Sequence, residues 1–390
     1  MHFSAQSSGS RGTREVHQGM KILIIEPSGR RGLCHYTHNL GNAIAAKGHR
    51  ILLATSEGFE TREYPRSYDA IEVFRRFSPR PAAWLRFLRA AQAFKPDIIH
   101  IQGSLHPLAY LILWKIQGML GHKRLVYTAH EIFPKKGGLF SYGALRKIYQ
   151  GAFHIIVHAE QNRCEIMEKF GIAAEKISIL SVGNNMALFQ DQDKEYGRAV
   201  NVAEKRKIIL FFGIIEPHKG LMTLLRAMPE IRRQCPTAFL RIVGQPFEAM
   251  AGYVKEVERL GIRDSLEMRL GYVPITEIPA VFHGAALVVL PYIRASQSGV
   301  LLSAYAFGKP VVATTAGGMA ELVVEGKTGF LVPPEDSQAL AEAVARMLND
   351  EELRAGMGRQ ALAYLEANHS WEAIAAGTEA IYQAVTASGR

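Results

Sequence analysis

Short, unbroken apolar runs recur along this chain, separated by stretches in which apolar positions keep to one side of a helical period. The runs predict strands at 21–25, 50–54, 98–101, 125–128, 155–157 and 177–180, with amphipathic helices between them, such as 36–46 and 84–94. A polar, strandless stretch follows at 190–207, and then the alternation restarts. The second series predicts strands at 208–212, 238–243, 266–270, 287–290 and 310–313, with helices at 221–233, 253–260, 278–282 and 301–307. The tail predicts helices at 340–348, at 352–366 and, behind Ser370 as N-cap, from 371 to about 387. Strand–helix alternation at this spacing means parallel sheets with right-handed crossovers. The fold class is therefore α/β: two doubly wound, Rossmann-like domains facing a cleft. A leader occupies 1–19, a first domain 20–190 and a second 205–368. Sheets of this kind bind ligands beyond their C-terminal strand ends, so the cleft is the expected site.

Composition narrows the class. A chain of 390 residues has the length of about two domains, and 48% apolar with 21% charged residues is a globular balance. Cys34, Cys164 and Cys235 lie far apart without a CxxC pair, which argues against a disulfide framework or a zinc site and fits a reducing compartment. No apolar run reaches the length of a membrane span, and the longest, 105–120, is interrupted by Lys115 and Gln117. The first nineteen residues lack the apolar core of a secretory signal and read as a disordered leader, or as an over-extended start ahead of Met20. The location expected is the cytoplasm, at the inner face of the membrane if the protein is peripheral.

The charge is uneven. Residues 1–200 hold 27 Lys and Arg against 16 Asp and Glu, so the whole of the formal +10 lies in the first half. Residues 101–150 carry seven basic side chains and one acid, Glu131. This suggests an anionic partner, such as a membrane surface or a phosphorylated acceptor; the alternative is a solvated face that favours solubility. The 105–120 run, beside His122, Lys123, Arg124, Lys135 and Lys136, is either a surface that docks on anionic lipid or a core helix followed by a basic turn. Nucleic acid is not expected, because aromatic and basic residues do not interleave and no known module is present.

Three segments carry candidate chemistry. The first is an apolar strand ending in Gly213, then Ile214-Ile215-Glu216-Pro217-His218-Lys219-Gly220 before a helix. A lysine beside the N–H groups of a helix start suits an anion; it is otherwise an exposed lysine on an ordinary turn. The second, Ser296-Gln297-Ser298-Gly299-Val300, opens the helix after the 287–290 strand and suits a phosphate or a plain N-cap. The third is Gly317-Gly318 with Glu321, followed by Gly326-Lys327-Thr328-Gly329-Phe330-Leu331-Val332. Paired glycines admit a ligand close to the backbone, and Glu321 suits sugar hydroxyls; a tight turn with a helix-start carboxylate is the plain reading. His158-Ala159-Glu160 at a strand end is a further pair facing the cleft.

The third segment together with Gly308-Lys309-Pro310-Val311-Val312-Ala313-Thr314 resembles glycosyltransferase family 4, of the GT-B fold. The run Gly213 to Lys219-Gly220, His130-Glu131-Ile132-Phe133-Pro134, and Lys176-Ile177 through Gly183-Asn184 are similar too, so the resemblance runs from about residue 20 onward. It implies that the second domain holds a nucleotide-sugar donor and the first an acceptor, with retention at the anomeric carbon. It assigns Lys219 to the donor diphosphate as a catalytic residue, and His130, the other catalytic residue, to a place beside the transferred sugar. Donor contacts are implied for Gly29, Gly32, Gly213, His218, Val273, Gln297, Ser298, Gly299, Val300, Ser303, Gly318 and Glu321, while His158 and Glu160 stand on the acceptor side. The last helix, 371–388, is expected to cross back to the first domain. No cofactor and no metal are implied.

The resemblance also has gaps. The family commonly carries a Glu pair with seven residues between its members, and those positions are Ala295 and Ser303 here. A basic residue often found in the first phosphate loop is replaced by Ile214 and Glu216, with His218 as partial compensation. Asp191-Gln192-Asp193 imitates a metal-binding triplet but sits in the polar linker rather than behind a strand. The expected activity is assembly of a bacterial surface polysaccharide or glycolipid on a lipid-linked or saccharide acceptor. The alternatives are a non-catalytic scaffold partnering another transferase, or a sugar-nucleotide epimerase on the same fold.

Overall fold

The computed structural model describes residues 19–75, 81–103, 124–130, 132, 139–184, 188, 206–295 and 298–387. Among the described residues, seven parallel strands form the first sheet: β1 (Lys21–Glu26), β2 (Arg50–Ser56), β3 (Asp69–Phe74), β4 (Ile98–Gln102), β5 (Leu125–Thr128), β6 (His154–Val157) and β7 (Ile177–Ile179), in the order β3-β2-β1-β4-β5-β6-β7. Six form the second: β8 (Lys207–Phe212), β9 (Ala238–Gly244), β10 (Leu266–Leu270), β11 (Leu287–Leu290), β12 (Val311–Thr314) and β13 (Gly329–Val332), in the order β10-β9-β8-β11-β12-β13. In both, the order reverses beside the first strand, which opens a crevice at the C-terminal strand ends. Central strands are buried on both faces, so their apolar runs are continuous. The two strands absent from the sequence prediction are edges: β3 leaves Asp69 and Glu72 in contact with water, and β13 is short.

Helices cover both faces. Among the described residues of the first domain they are α1 (Arg31–Ala46), α2 (Pro81–Phe94), α3 (Leu139–Gly151) and α4 (Glu160–Phe170). The second has α5 (Leu221–Gln234), α6 (Ala251–Arg259), α7 (Ile278–His283), α8 (Gly299–Ala306), α9 (Met319–Leu322), α10 (Ser337–Asn349) and α11 (Glu351–Asn368). Asp336 and Asp350 cap α10 and α11 with their carboxylates, which fixes where each begins. Helix α1 starts five residues before the predicted 36, so that Gly32 lies in its first turn.

The last helix, α12 (Trp371–Ala387), packs on α1 and joins the first domain's core with Ile374, Ala375, Tyr382 and Val385. Its entry explains the Gly183-Asn184 pair. A Cβ on Gly183 would lie 2.3 Å from the Trp371 ring, and the indole Nε1–H donates to the Asn184 carbonyl at 2.6 Å. Further along, Glu379 meets Lys47 at 2.9 Å and His49 at 3.0 Å.

Candidate functional site

A cavity of about 260 Å³ lies between the two sheets. Its second-domain wall is built from strand ends: Gly213 after β8, Gly244 ending β9 and Gly271 after β10, with Val273 and Ile278 beyond. Small residues are required where these ends converge. A Cβ on Gly244, at φ 159°, would stand 1.6 Å from the Gly213 carbonyl oxygen.

Lys219 lies in a 3-10 turn (Pro217–Lys219) that precedes α5. Gly220 follows in the left-handed region, at φ 69°, and approaches so near to Pro291 that a Cβ would be 1.7 Å from its carbonyl oxygen. The Ile293 N–H donates to the His218 carbonyl at 2.8 Å. The lysine loop is thereby fastened to the loop after β11, and the Lys219 ammonium sits 3.8 Å above the Tyr292 ring in the cavity wall. Glu216 faces His218 at 3.4 Å, so the acid that sequence placed near an anion has a cationic partner when the imidazole is protonated.

The segment before α8 holds its N-terminus. Ser298 Oγ accepts the Leu301 N–H at 3.3 Å and lies 3.2 Å from the Tyr292 hydroxyl. The hydroxyl is thus a buried cap, and it is the first-turn backbone N–H groups, at Gly299 and Val300 in the cavity wall, that the helix leaves for an anion. Ser303 also lines the cavity but donates its hydroxyl proton to the Gly299 carbonyl at 2.9 Å, so towards a ligand it acts as an acceptor.

The first domain contributes Arg31, Gly32 and His35. Beneath them Glu26, at the end of β1, is buried and accepts N–H groups from Ser28 at 2.8 Å and Gly29 at 2.9 Å and the Thr55 hydroxyl at 3.1 Å. Burial pushes its carboxyl up to about 7, against the pull of those three donors. Arg31 adopts φ 62°, a conformation that costs an L side chain about 1–2 kcal/mol. Its N–H donates to Glu60 Oε2 at 2.7 Å, where His35 Nε2 also sits, at 3.1 Å. The guanidinium crosses to the second domain, bonds the Gln245 side chain, and lies 5.0 Å above the Phe247 ring and 5.9 Å above that of Tyr272. The Tyr272 hydroxyl donates back to Glu60. Burial lowers the Arg31 guanidinium from its ordinary value, with Glu60 opposing. At Glu60 itself burial acts upward, and the bonds from His35 and the Arg31 amide outweigh it.

His130 lies beside the cavity rather than in its lining, within a buried chain of polar groups. His158 Nδ1 is 2.8 Å from the Leu180 carbonyl, which can only accept, so His158 carries its proton there. Its Nε2 lone pair then faces His130 Nδ1–H at 3.2 Å. His130 Nε2 is 2.8 Å from Gln102 Oε1; with its Nδ1–H given to His158, a neutral ring takes that amide reversed, so that the NH2 group donates to Nε2. His100 continues the chain to Thr128 at 2.7 Å and to the Tyr382 hydroxyl at 2.6 Å. Burial lowers all three histidines: His158 to about 4, His100 to about 3, and His130 well below its ordinary value, helped by His158 and His100.

The structure thus gathers Lys219, Gly213, Val273, Gly299, Val300, Ser303 and Gly32 around one cavity, with Ser298 as the cap beneath. Other sequence candidates lie elsewhere. Gly29 packs on Ser56 and Phe59, and its N–H is taken by Glu26. Gly318 caps the short α9, on which Glu321 is exposed. His158, expected on the acceptor side, is buried with both ring nitrogens engaged, because its strand turns it inward onto Leu180; Glu160 is an exposed partner of Arg163 at 3.0 Å. His154 bonds Ser178 at 2.8 Å in a structural role. Gln297, the 105–120 run, Lys135-Lys136 and Asp191-Gln192-Asp193 lie outside the described residues. Among the described residues no three His, Cys, Asp or Glu side chains group as metal ligands, and no helix is long and apolar enough to cross a membrane. The residues that sequence reasoning missed are Arg31, His35, Gln245, Tyr272 and Tyr292.

Two facing doubly wound domains with a crevice at their C-terminal strand ends define the GT-B class of fold. The description Glycosyltransferase Family 4 matches residues 30–186, and Glycosyl transferases group 1 matches residues 192–363. The chain belongs to glycosyltransferase family 4 and is a glycosyltransferase. It is 28% identical to a D-inositol 3-phosphate glycosyltransferase of Segniliparus rotundus, over 87% of this chain and 76% of that protein. It is 25% identical to a glycogen synthase of Mycobacterium tuberculosis, over 94% of this chain and 95% of that protein. The crystal structure of Anabaena Alr3699/HepE in complex with UDP and glucose shares the fold, with a TM-score of 0.74 at 21% identity over 94% of this chain and all of that one.

Proposed function

We propose that this glycosyltransferase moves a sugar from a nucleoside-diphosphate donor to an acceptor hydroxyl, with retention at the anomeric carbon. The observation that carries the reading is that the Lys219 ammonium and the N-terminus of α8 face one cavity. A departing diphosphate gains negative charge as its bond to the sugar breaks, and a cation with fixed N–H dipoles meets that charge in a cleft shielded from water. The electron pair of the breaking C–O bond stays with the phosphate oxygen. The acceptor oxygen bonds the same face of the sugar, and its proton passes to that phosphate oxygen. We place the transferred sugar toward His130, which stands beside the cavity with its tautomer set by His158 and would exchange its Gln102 bond for one to a sugar hydroxyl.

The acceptor is read as a saccharide or a lipid-linked molecule in surface polysaccharide or glycolipid assembly at the inner face of the membrane. The basic first half and the inositol 3-phosphate in the name of the Segniliparus relative support an anionic acceptor. Metal has no part in the proposed step. The test is transfer by the purified chain across a panel of nucleotide sugars, with and without acceptor and with EDTA. Lys219→Ala is expected to lose at least about 100-fold in rate while melting within a few degrees of the parent. A fully active variant, or turnover of the donor to an isomer without acceptor, overturns the proposal.

A further inference from the structure

We infer that Arg31 is a second cation of the donor site, brought by the first domain to share the donor's phosphates with Lys219. The inference rests on the donor reading above and adds a residue from the opposite wall. Arg31 holds the left-handed backbone at φ 62°, as Gly29 does at φ 64°, and glycine would adopt it without steric cost. A strained arginine where glycine would fit directs attention to what its side chain reaches.

The side chain reaches the cavity that Lys219 lines, where these two are the only Lys or Arg in the described wall. Its bonding there is unusual for a half-buried cation. The Glu60 carboxylate is bonded to the Arg31 backbone N–H, to His35 and to the Tyr272 hydroxyl. The guanidinium instead meets the neutral Gln245 amide and the faces of Phe247 and Tyr272. A planar fork with five N–H donors is thereby aimed and kept from collapsing onto an acid, with donors to spare for phosphate oxygens. Gln245, Phe247 and Tyr272 belong to the second domain, so the arginine is in place only while the two domains are closed on one another. Donor phosphate would then reward closure, since it bonds cations from both walls.

A strut that merely ties the domains together would use the same contacts, and the test separates the two. Affinities of UDP, ADP and GDP for the full chain are measured by calorimetry, and the matching nucleoside is measured by competition. For the diphosphate that binds, Arg31→Gly is expected to narrow the affinity gap between diphosphate and nucleoside by at least about ten-fold, and to melt no lower than the parent because the backbone strain is gone. Arg31→Gln, which keeps bulk and loses charge, should narrow the gap similarly and reads the same quantity if the glycine variant folds poorly. Equal weakening of diphosphate and nucleoside, with the gap unchanged, overturns the inference in favour of a strut and leaves the donor reading intact. Failure of the parent chain to bind any of the three diphosphates overturns both.

Discussion

Acidification to about pH 5.5 should destabilise this protein through histidines that are folded neutral. His158 is the clearest case. Burial pushes it down to about 4, whereas in the unfolded chain it titrates at its ordinary 6.5. Between those values the unfolded chain binds the extra proton, so stability is fully present above 6.5 and is lost as pH falls, at somewhat over 1 kcal/mol per pH unit. His100, pushed to about 3, and His38, pushed to about 4, behave alike. One unit below 6.5 the three together remove about 4 kcal/mol. Glu26 acts in the opposite sense: its carboxyl, raised from 4.5 to about 7, takes up a proton in the folded state first and returns about 2 kcal/mol by the same pH. The expected net loss from about pH 7.5 to about pH 5.5 is therefore about 2 kcal/mol from these four groups. Urea unfolding at both pH values, followed by circular dichroism, measures it. His158→Gln should be less stable than the parent at either pH, but its pH dependence should be flatter by about 1 kcal/mol. Parallel pH dependences in parent and variant would refute the claim that His158 is held neutral, and with it the tautomer assigned to His130.

Two further substitutions probe the frame around the site. Gly244→Ala pushes a Cβ into the Gly213 carbonyl, which belongs to backbone and cannot step aside; a loss of about 2 kcal/mol or more in urea unfolding, with weaker donor binding, is expected. Tyr382→Phe deprives the buried His100 Nδ1 of its partner and should cost about 1–3 kcal/mol, read as a lower melting temperature.

Both sheets were legible because parallel strands buried on two faces read as unbroken apolar runs. Where a face meets water the signal failed. Asp69 and Glu72 hid β3, and α4 shows only Asn162, Ile166 and Phe170 to the core, too sparse a stripe to mark a helix. Within the site, Lys219 and Ser298 could be found because each sits at a strand–helix junction that announces itself locally. Arg31 and Gln245 could not be paired from sequence, since they are 214 residues apart and meet only when two domains close. One signal was available: Gly213, Gly244 and Gly271 each follow or end a strand of the second sheet, and the residue after each borders the cavity. Comparing successive strand ends would have brought Gln245 and Tyr272 into view. Motif glycines elsewhere turned out to serve packing, as Gly183 does under Trp371.

The path of α12 bears on how the protein is made. The first domain's core includes Trp371, Ile374 and Tyr382, which leave the ribosome after the whole second sheet. Until then α1 presents an apolar face that its own strands do not cover. The N-terminal half therefore cannot finish folding while it is the only part synthesised. The second domain, with its own core, is free to fold first, and the last helix then closes the half that began the chain.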